Sequence, residues 1–293
     1  MPVLSARTRG DLLILLAALI WGVAFYFQKV AMQDIGPLLF LGMRGAIAAL
    51  VLLPFVWREQ RTDLRQMRPG NARIWPYGVL AGVVFFLAGG TQQTGIVIAT
   101  VTNTGFLTAL YVVVTPFLYW IVQRQRPALA TWFSAGLAFV GVWALGGGSL
   151  ESLNRGDILV ACSSVFWAVL IIVSGKASRR AQPLTYTCIQ FAVVALLSII
   201  SALLFERVEM AALRAALVPI LYVGVLSSAF TFGIMAIALQ VVPPPRASIL
   251  LSMETVFAAM AGFLLLGERL SVAGWAGALL ILMAVVVVQR TRE

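Results

Sequence analysis

Apolar positions along the chain form ten long runs separated by short polar breaks. Each run is close to the about 20 residues that an α-helix needs to cross a hydrocarbon core of about 30 Å. Gly, Pro and basic residues occupy the breaks, as at Gly36-Pro37. The pattern predicts an all-α polytopic membrane protein with ten transmembrane helices. The predicted segments are residues 12–30, 38–55, 74–92, 96–122, 129–145, 158–174, 184–205, 217–239, 247–266 and 272–288.

The composition agrees with this class. Hydrophobic residues form 61% of the 293 residues, charged residues form 11%, and the mean hydropathy is +0.98. The net charge of +10 comes from basic residues between apolar runs, where they contact lipid headgroups and set topology. We therefore expect a monomer whose partners are the lipid bilayer and a small-molecule substrate, with no nucleic acid. Cys162 and Cys188 lie inside apolar runs and are interpreted as small hydrophobic residues.

The basic residues also predict the orientation of the chain. Of the 21 Lys and Arg residues, fifteen, including Arg246, fall at the termini and in the even-numbered connections, five fall on the other side, and Arg44 lies within the second segment. Because Lys and Arg accumulate in cytoplasmic loops, we expect both termini in the cytoplasm and the protein in the inner (plasma) membrane. The first apolar run exceeds a signal-peptide core of about 7–15 residues and is interpreted as a retained helix.

The two halves of the chain share a motif at a constant offset of 146 residues. It contains a Gly-Asp pair, a Trp ten residues after the Asp, and then a Pro. The two copies are Gly10-Asp11, Trp21 and Pro37, and Gly156-Asp157, Trp167 and Pro183. Since five helices is an odd number, the second copy enters the membrane from the opposite side. The motif predicts two inverted five-helix repeats, residues 1–148 and 149–293, around a central cavity near the membrane midplane.

The repeated Trp residues are expected at the depth of that cavity. At 1.5 Å per residue, Trp21 and Trp167 each lie about 15 Å into their helices, one from each side. Trp in membrane proteins prefers the headgroup regions, so a central pair needs an explanation. Helix packing is one interpretation, and a pair of aromatic walls around a substrate is the other.

Two rows of hydroxyl groups form a second candidate feature. Thr104, Thr108, Tyr111 and Thr115 follow a spacing of i, i+4, i+7 and i+11, and Ser248, Ser252 and Thr255 follow i, i+4 and i+7. Such spacing places side chains on one helix face, and hydroxyls that face acyl chains are costly. The rows are therefore expected to face one pathway, or else to bond to the carbonyls of their own helices.

Four further polar or aromatic positions are weaker candidates. Phe86 lies among glycines of the third segment, where close helix packing is the simpler explanation. Gln92 and Asn103 are expected near the outer mouth of the cavity, where a polar loop in water would explain them equally well. Thr231 in the eighth segment can bond back to its own helix.

Arg44 and Glu254 are ionisable residues deep in predicted helices. Counted at 1.5 Å per residue, Arg44 lies about 10 Å from one side and Glu254 about 13 Å from the other, within a core of about 30 Å. Charges at such depths are costly and are usually paired or functional. An Arg44–Glu254 ion pair, snorkelling of Arg44, and proton coupling by Glu254 are the three interpretations.

Several of these segments resemble a known family. The run FLTALYVVVTP within residues 102–116, the GERL sequence at residues 267–270 and the two five-helix halves resemble the EamA branch of the drug/metabolite transporter superfamily, most closely its YddG-type amino-acid exporters. This resemblance covers nearly the whole chain. It implies ten helices, cytoplasmic termini and a central cavity built from helices 1, 3, 4, 6, 8 and 9. The Glu-Pro frequent in the ninth helix of relatives is Glu254-Thr255 here, which makes a kink less expected there than in the fourth helix, where Pro116 is present.

These observations favour a secondary transporter of small metabolites, most specifically an amino-acid exporter working by alternating access. A drug/cation or sugar-phosphate exchanger of the same superfamily is the alternative. The absence of histidine argues against Ser-His catalysis and His-bound metals, so no enzyme, cofactor or metal site is expected, and no charged ring typical of a channel filter is evident. The candidate substrate-binding residues are Trp21, Phe86, Gln92, Asn103, Thr104, Thr108, Tyr111, Trp167, Thr231, Ser248 and Ser252, and the candidate coupling or structural charges are Glu254 and Arg44.

Overall fold

A computed structural model describes residues 5–65, 74–145, 154–179, 182–267, 269 and 271–290 of the chain. Helices account for most of this part of the chain, and ten of them are long and apolar. They are α1 (Ala6–Ala31), α2 (Pro37–Arg65), α3 (Ile74–Ile96), α4 (Val101–Gln123), α5 (Leu129–Leu145), α6 (Arg155–Ser178), α7 (Pro183–Phe205), α8 (Leu217–Ala238), α9 (Pro244–Leu266) and α10 (Val272–Arg290). A short helix, Met210–Ala215, precedes α8.

Nine of these described helices are long and apolar enough to cross a membrane, and α5, with 17 residues, is slightly shorter. Large apolar side chains cover the outer surface; Phe205 and Val272, for example, are 79% and 88% exposed. A bundle with such a surface is soluble in lipid rather than in water. The predicted fold class is confirmed.

The helix pairs follow one symmetric pattern. Helix α2 packs against α7, α5 packs against α10, and α4 packs against α9. In addition, α3 packs against α6 in the way that α8 packs against α1. Exchanging each helix for the one five places later leaves this set of pairs unchanged, as expected of two related five-helix halves. The predicted boundary between residues 148 and 149 lies outside the described residues.

Helices α4 and α9 are discontinuous. Helix α4 divides into Val101–Thr108 and Tyr111–Gln123, and α9 divides into Pro244–Leu251 and Met253–Leu266. A kink in α4 was expected from Pro116, but the break lies before that proline, where Leu110 and Val112 donate to carbonyls three residues earlier and tighten the turn. The break in α9 occurs at Ser252 without a proline, contrary to the expectation from its Glu-Thr sequence.

Helix α8 has a wider central section. Residues Tyr222–Phe230 form π-helical turns between the α-helical parts Leu217–Leu221 and Thr231–Ala238. Such turns are rare and are often found at functional sites. One of them presents the carbonyl of Ser227 to the indole Nε1 of Trp21, which donates a hydrogen bond of 2.8 Å.

Arg246 lies in the protein interior, not in a loop. Its side chain is 1% exposed and donates to both carboxylate oxygens of Asp11 and to the carbonyls of Val288 and Gln289. Its assignment to a cytoplasmic connection was wrong, because the long side chain folds back between α1 and α10. The other basic residues assigned to that side still outnumber those assigned to the opposite side.

Candidate functional site

A cavity lies where the six helices α1, α3, α4, α6, α8 and α9 meet, the set that the family resemblance implied. It offers about 50 Å³ to the centres of water-sized molecules, several times the about 10–15 Å³ that one water needs. Arg44 of α2 also reaches it. The lining residues are Trp21, Phe25, Gln28, Arg44, Gln92, Thr108, Tyr111, Trp167, Leu170, Ile171, Ser227, Phe232, Met235, Leu251 and Glu254.

Aromatic rings form one wall of the cavity. The ring of Phe232 lies 4.7 Å from that of Trp21 and 6.4 Å from that of Trp167, so the two repeated Trp residues meet around it. Phe85 packs edge-on against Trp167 at 5.0 Å. Trp167 Nε1 has no hydrogen-bond partner among the described residues, whereas Trp21 Nε1 donates to Ser227. The sequence did not single out Phe232, since no periodicity in α8 marks it.

Phe86 is not among the lining residues. It is half-buried and packs against the apolar core, while the preceding residue, Phe85, is fully buried beside Trp167. Of the two candidates on α3, Gln92 therefore lines the cavity and Phe86 does not. Phe85 also lies beneath the guanidinium of Arg44, whose Cζ is 5.7 Å from the ring centroid.

Arg44 is 3% exposed and is held by neutral groups. Its Nε donates to Ser228 Oγ at 2.9 Å, and its Nη1 donates to Gln28 Oε1 at 3.4 Å. Gln93 Nε2 donates to the same Gln28 oxygen. These bonds place a positive charge at the cavity and prevent it from snorkelling to the membrane surface, which was one of the expectations.

Glu254 lies on the second segment of α9 and is also 3% exposed. Its Oε1 accepts a hydrogen bond of 2.8 Å from the hydroxyl of Tyr111. Helix α1 comes close to this segment at Gly22, where an added Cβ would lie 2.8 Å from the Glu254 carbonyl oxygen. The Arg44–Glu254 ion pair, one of the three interpretations, is not formed, whereas Arg246 and Asp11 do form a salt bridge.

Half of the predicted hydroxyl groups bond to their own helices. Their acceptors are carbonyls three to five residues earlier, at 2.6–2.8 Å, and these hydroxyls do not line the cavity. The residues concerned are Thr104, Thr231, Ser248 and Ser252. Of the row on α4, Thr108 and Tyr111 line the cavity, and Thr108 Oγ1 accepts from Gln92 Nε2 at 2.7 Å. Thr115 on α4 and Thr255 on α9 are buried, and their hydroxyls have no hydrogen-bond partner among the described residues.

Asn103 lies away from the cavity, at an end of the bundle. Its Nδ2 donates to Asp157 Oδ1 at 3.3 Å. Arg246 occupies the matching place in the second half, 143 residues later, and contacts Asp11, the counterpart of Asp157. The two contacts therefore join α4 to α6 and α9 to α1 in the same way. Tyr111 and Glu254 also occupy matching places, 143 residues apart. Unlike Asn103 and Arg246, these two residues contact each other directly.

The described residues contain no group of three or more His, Cys, Asp or Glu side chains able to hold a metal ion. The chemistry available at the cavity is therefore that of aromatic faces, amides, hydroxyls, one guanidinium and one carboxyl group. Such a set can bind a small polar solute by hydrogen bonds and charge.

Comparison with known proteins identifies the family. The sequence profile of the EamA-like transporter family matches residues 8–147 and again residues 154–290. An uncharacterized transporter of Archaeoglobus fulgidus is 30% identical over 284 residues, which are 96% of this chain and 86% of that protein. The threonine/homoserine exporter RhtA of Escherichia coli is 29% identical over 245 residues, covering 78% of this chain and 74% of RhtA.

A solved crystal structure has the same fold, with a TM-score of 0.74, 15% identity and 96% of each chain covered. The profile matches include nearly all the described residues of both halves. The resemblance expected from the sequence is thus confirmed. This chain belongs to the EamA-like transporter family and is a multi-pass membrane transporter.

Proposed function

We propose that the protein exports amino acids by alternating access. The observation that supports this most directly is the central cavity at the breaks of α4 and α9, two discontinuous helices in matching places of the two halves. In transporters built from inverted repeats, substrate sites lie at such breaks, near the midplane. The similarity to a threonine/homoserine exporter favours amino acids.

The lining also argues against the other substrates of the superfamily. A sugar-phosphate exchanger needs several cationic groups to hold a phosphate, whereas Arg44 is the one cation among the lining residues that the structure describes. A transporter of organic cations needs a surplus of negative charge in its cavity, whereas here the negative charge of Glu254 is balanced by the positive charge of Arg44. Trp21, Trp167 and Phe232 provide the apolar surface that suits an amino-acid side chain.

Alternating access requires that the two ends of the bundle open in turn. The Asp11–Arg246 contact and the Asp157–Asn103 contact lie at matching places in the two halves, so each is suited to close one end. Rocking of one five-helix half against the other would break one contact while the other holds. On the basis of the basic loops, we propose that both termini lie in the cytoplasm and the protein in the inner membrane. We further propose that it acts as a monomer.

Reconstitution into proteoliposomes tests this function. Labelled amino acids, sugars and phosphorylated compounds would be supplied separately, with and without a pH gradient. We expect saturable counterflow of amino acids and little flux of phosphorylated compounds. Flux that does not saturate would indicate a channel, and absence of amino-acid flux would refute the proposal.

If a pH gradient drives the flux, Glu254→Gln is expected to abolish that dependence, because Glu254 is the carboxyl group at the cavity.

Trp167→Ala is expected to lower amino-acid transport about tenfold or more, or to change the substrate range. The reason is that it removes an aromatic wall whose Nε1 has no partner within the described structure. Trp275→Ala is the matched control, since Trp275 on α10 is 58% exposed and faces away from the cavity. Both variants should be recovered as folded protein in equal yield. Wild-type kinetics and substrate range in Trp167→Ala would exclude the aromatic wall.

A further inference from the structure

Arg44 and Glu254 line the same cavity, yet each keeps one polar atom unused. Arg44 donates through Nε and Nη1, and its Nη2 has no hydrogen-bond partner among the described residues. Glu254 accepts through Oε1, and its Oε2 likewise has none in the described structure. A guanidinium edge and a carboxylate oxygen are therefore both available to a solute in the cavity.

The separation of these two charges is a feature of the fold. The protein can close an ion pair fully, as Arg246 does with both oxygens of Asp11. Arg44 and Glu254 are as deeply buried, but Arg44 is bound by Ser228 and Gln28, and Glu254 by Tyr111. Two buried charges held apart by neutral partners cost stability, and such an arrangement is expected at a site where a ligand completes the pairing.

The charge balance of the cavity points to one class of ligand. Apart from Arg44 and Glu254, the lining residues are uncharged, so the cavity is neutral overall but has separate positive and negative groups. An organic cation would face Arg44, and an anion would face Glu254, each with an unfavourable contact. A zwitterion whose own two charges are separated satisfies both groups together.

We infer that Arg44 binds the α-carboxylate and Glu254 binds the α-ammonium group of a zwitterionic amino acid. This inference rests on the proposed amino-acid transport and assigns the two ligands that define the substrate class. Tyr111 then acts as a positioning residue, because its hydroxyl fixes Glu254 Oε1 and leaves Oε2 for the ammonium. Ser228 and Gln28 orient Arg44 in the same way.

Transport of substrate analogues that each lack one of the two charged groups tests the assignment. Wild-type protein and variants would be reconstituted into proteoliposomes and supplied with three labelled mixtures: neutral amino acids, their amides, which lack the carboxylate, and the matching 2-hydroxy acids, which lack the ammonium. The wild type is expected to transport the amino acids about tenfold or more faster than either analogue mixture. Arg44→Gln, which leaves a net negative cavity, should prefer the amides. Glu254→Gln, which leaves a net positive cavity, should prefer the hydroxy acids.

The controls separate this inference from the proposed function. Arg207→Gln and Glu209→Gln remove the same charges from exposed positions and should retain the wild-type preference. Arg44→Lys keeps the charge and should keep the amino-acid preference at a lower rate, which also covers the case in which Arg44→Gln does not fold. Amino-acid transport by the wild type, with an unchanged order of preference in Arg44→Gln and Glu254→Gln, would overturn the assignment alone. Failure of the wild type to transport amino acids would overturn the proposed function as well.

Discussion

Arg246→Met is expected to lower the free energy of unfolding by about 3–5 kcal/mol, the usual cost of leaving one member of a buried ion pair without its partner. Asp11 is 5% exposed and would be left in the interior without its cationic partner. The carbonyls of Val288 and Gln289 would also lose their donor, so the end of α10 would be less firmly held. Unfolding of the purified protein in mixed micelles with increasing denaturing detergent measures the change.

Two variants show whether the pairing itself is responsible. Asp11→Leu combined with Arg246→Met removes both charges and should recover a large part of the lost stability, because no unpaired charge remains. Arg290→Met removes an exposed Arg from the end of α10 that Arg246 contacts, and it should change the free energy of unfolding by less than about 0.5 kcal/mol. Equal destabilisation in the single and double variants would contradict this explanation.

The location of Arg246 strengthens the expectation. It lies in the first turn of α9, where the helix dipole favours negative rather than positive groups. A cation at this place is unfavourable unless a carboxylate compensates for it, and Asp11 from the other half of the chain does so. The ion pair therefore joins the two halves through a cation, Arg246, whose place at the start of α9 would be unfavourable without Asp11.

Gly141→Ala is expected to cost about 1–3 kcal/mol, since it forces a methyl group into a tight helix crossing. A Cβ at Gly141 would lie 2.7 Å from the Gly277 carbonyl oxygen and 2.9 Å from the backbone nitrogen of Ile281, both on α10. Backbone atoms cannot rotate away as a side chain can, so α5 and α10 would have to separate. Thermal unfolding and the yield of monodisperse protein measure the effect.

Helix α5 also supplies the matched control. Gly136 is in the same helix, and a Cβ there would meet no heavy atom within 4 Å. Gly136→Ala should therefore be close to neutral or slightly stabilising, by up to about 1 kcal/mol, because Ala restricts the unfolded chain more than Gly does. A loss in Gly136→Ala as large as that in Gly141→Ala would contradict the explanation from the helix crossing, because helix propensity favours Ala over Gly at both positions.

Much of the architecture follows from local patterns. Ten apolar runs predicted ten helices, because in lipid a spanning segment must satisfy its backbone hydrogen bonds internally and is long enough only at about 20 residues. The repeated Trp21 and Trp167 predicted aromatic residues at one central depth, and both line the cavity. Counting along the helices also placed Arg44 and Glu254 deep in the bundle, and both line the cavity.

Contacts between helices were not predictable in the same way. The sequence offered both Phe86 and Gln92 on α3 as candidates, and only the packing of α3 against its neighbours decides that Gln92 lines the cavity. A Ser or Thr in a helix can bond to a nearby carbonyl or to another helix; Ser252 does the first and Ser228, with Arg44, does the second. Nothing in the local sequence distinguishes these outcomes.

The sequence by itself therefore determined the class of protein, the number of helices and the depth of the main site residues, because these depend on hydrophobicity and helix geometry alone. Tertiary structure decided which charges are paired. Arg246 meets Asp11 across 235 positions of the chain, whereas Arg44 and Glu254, at similar depths, remain apart. The physical reason is that an ion pair forms only where two helices bring both groups within about 4 Å, and the packing of the two halves sets that distance.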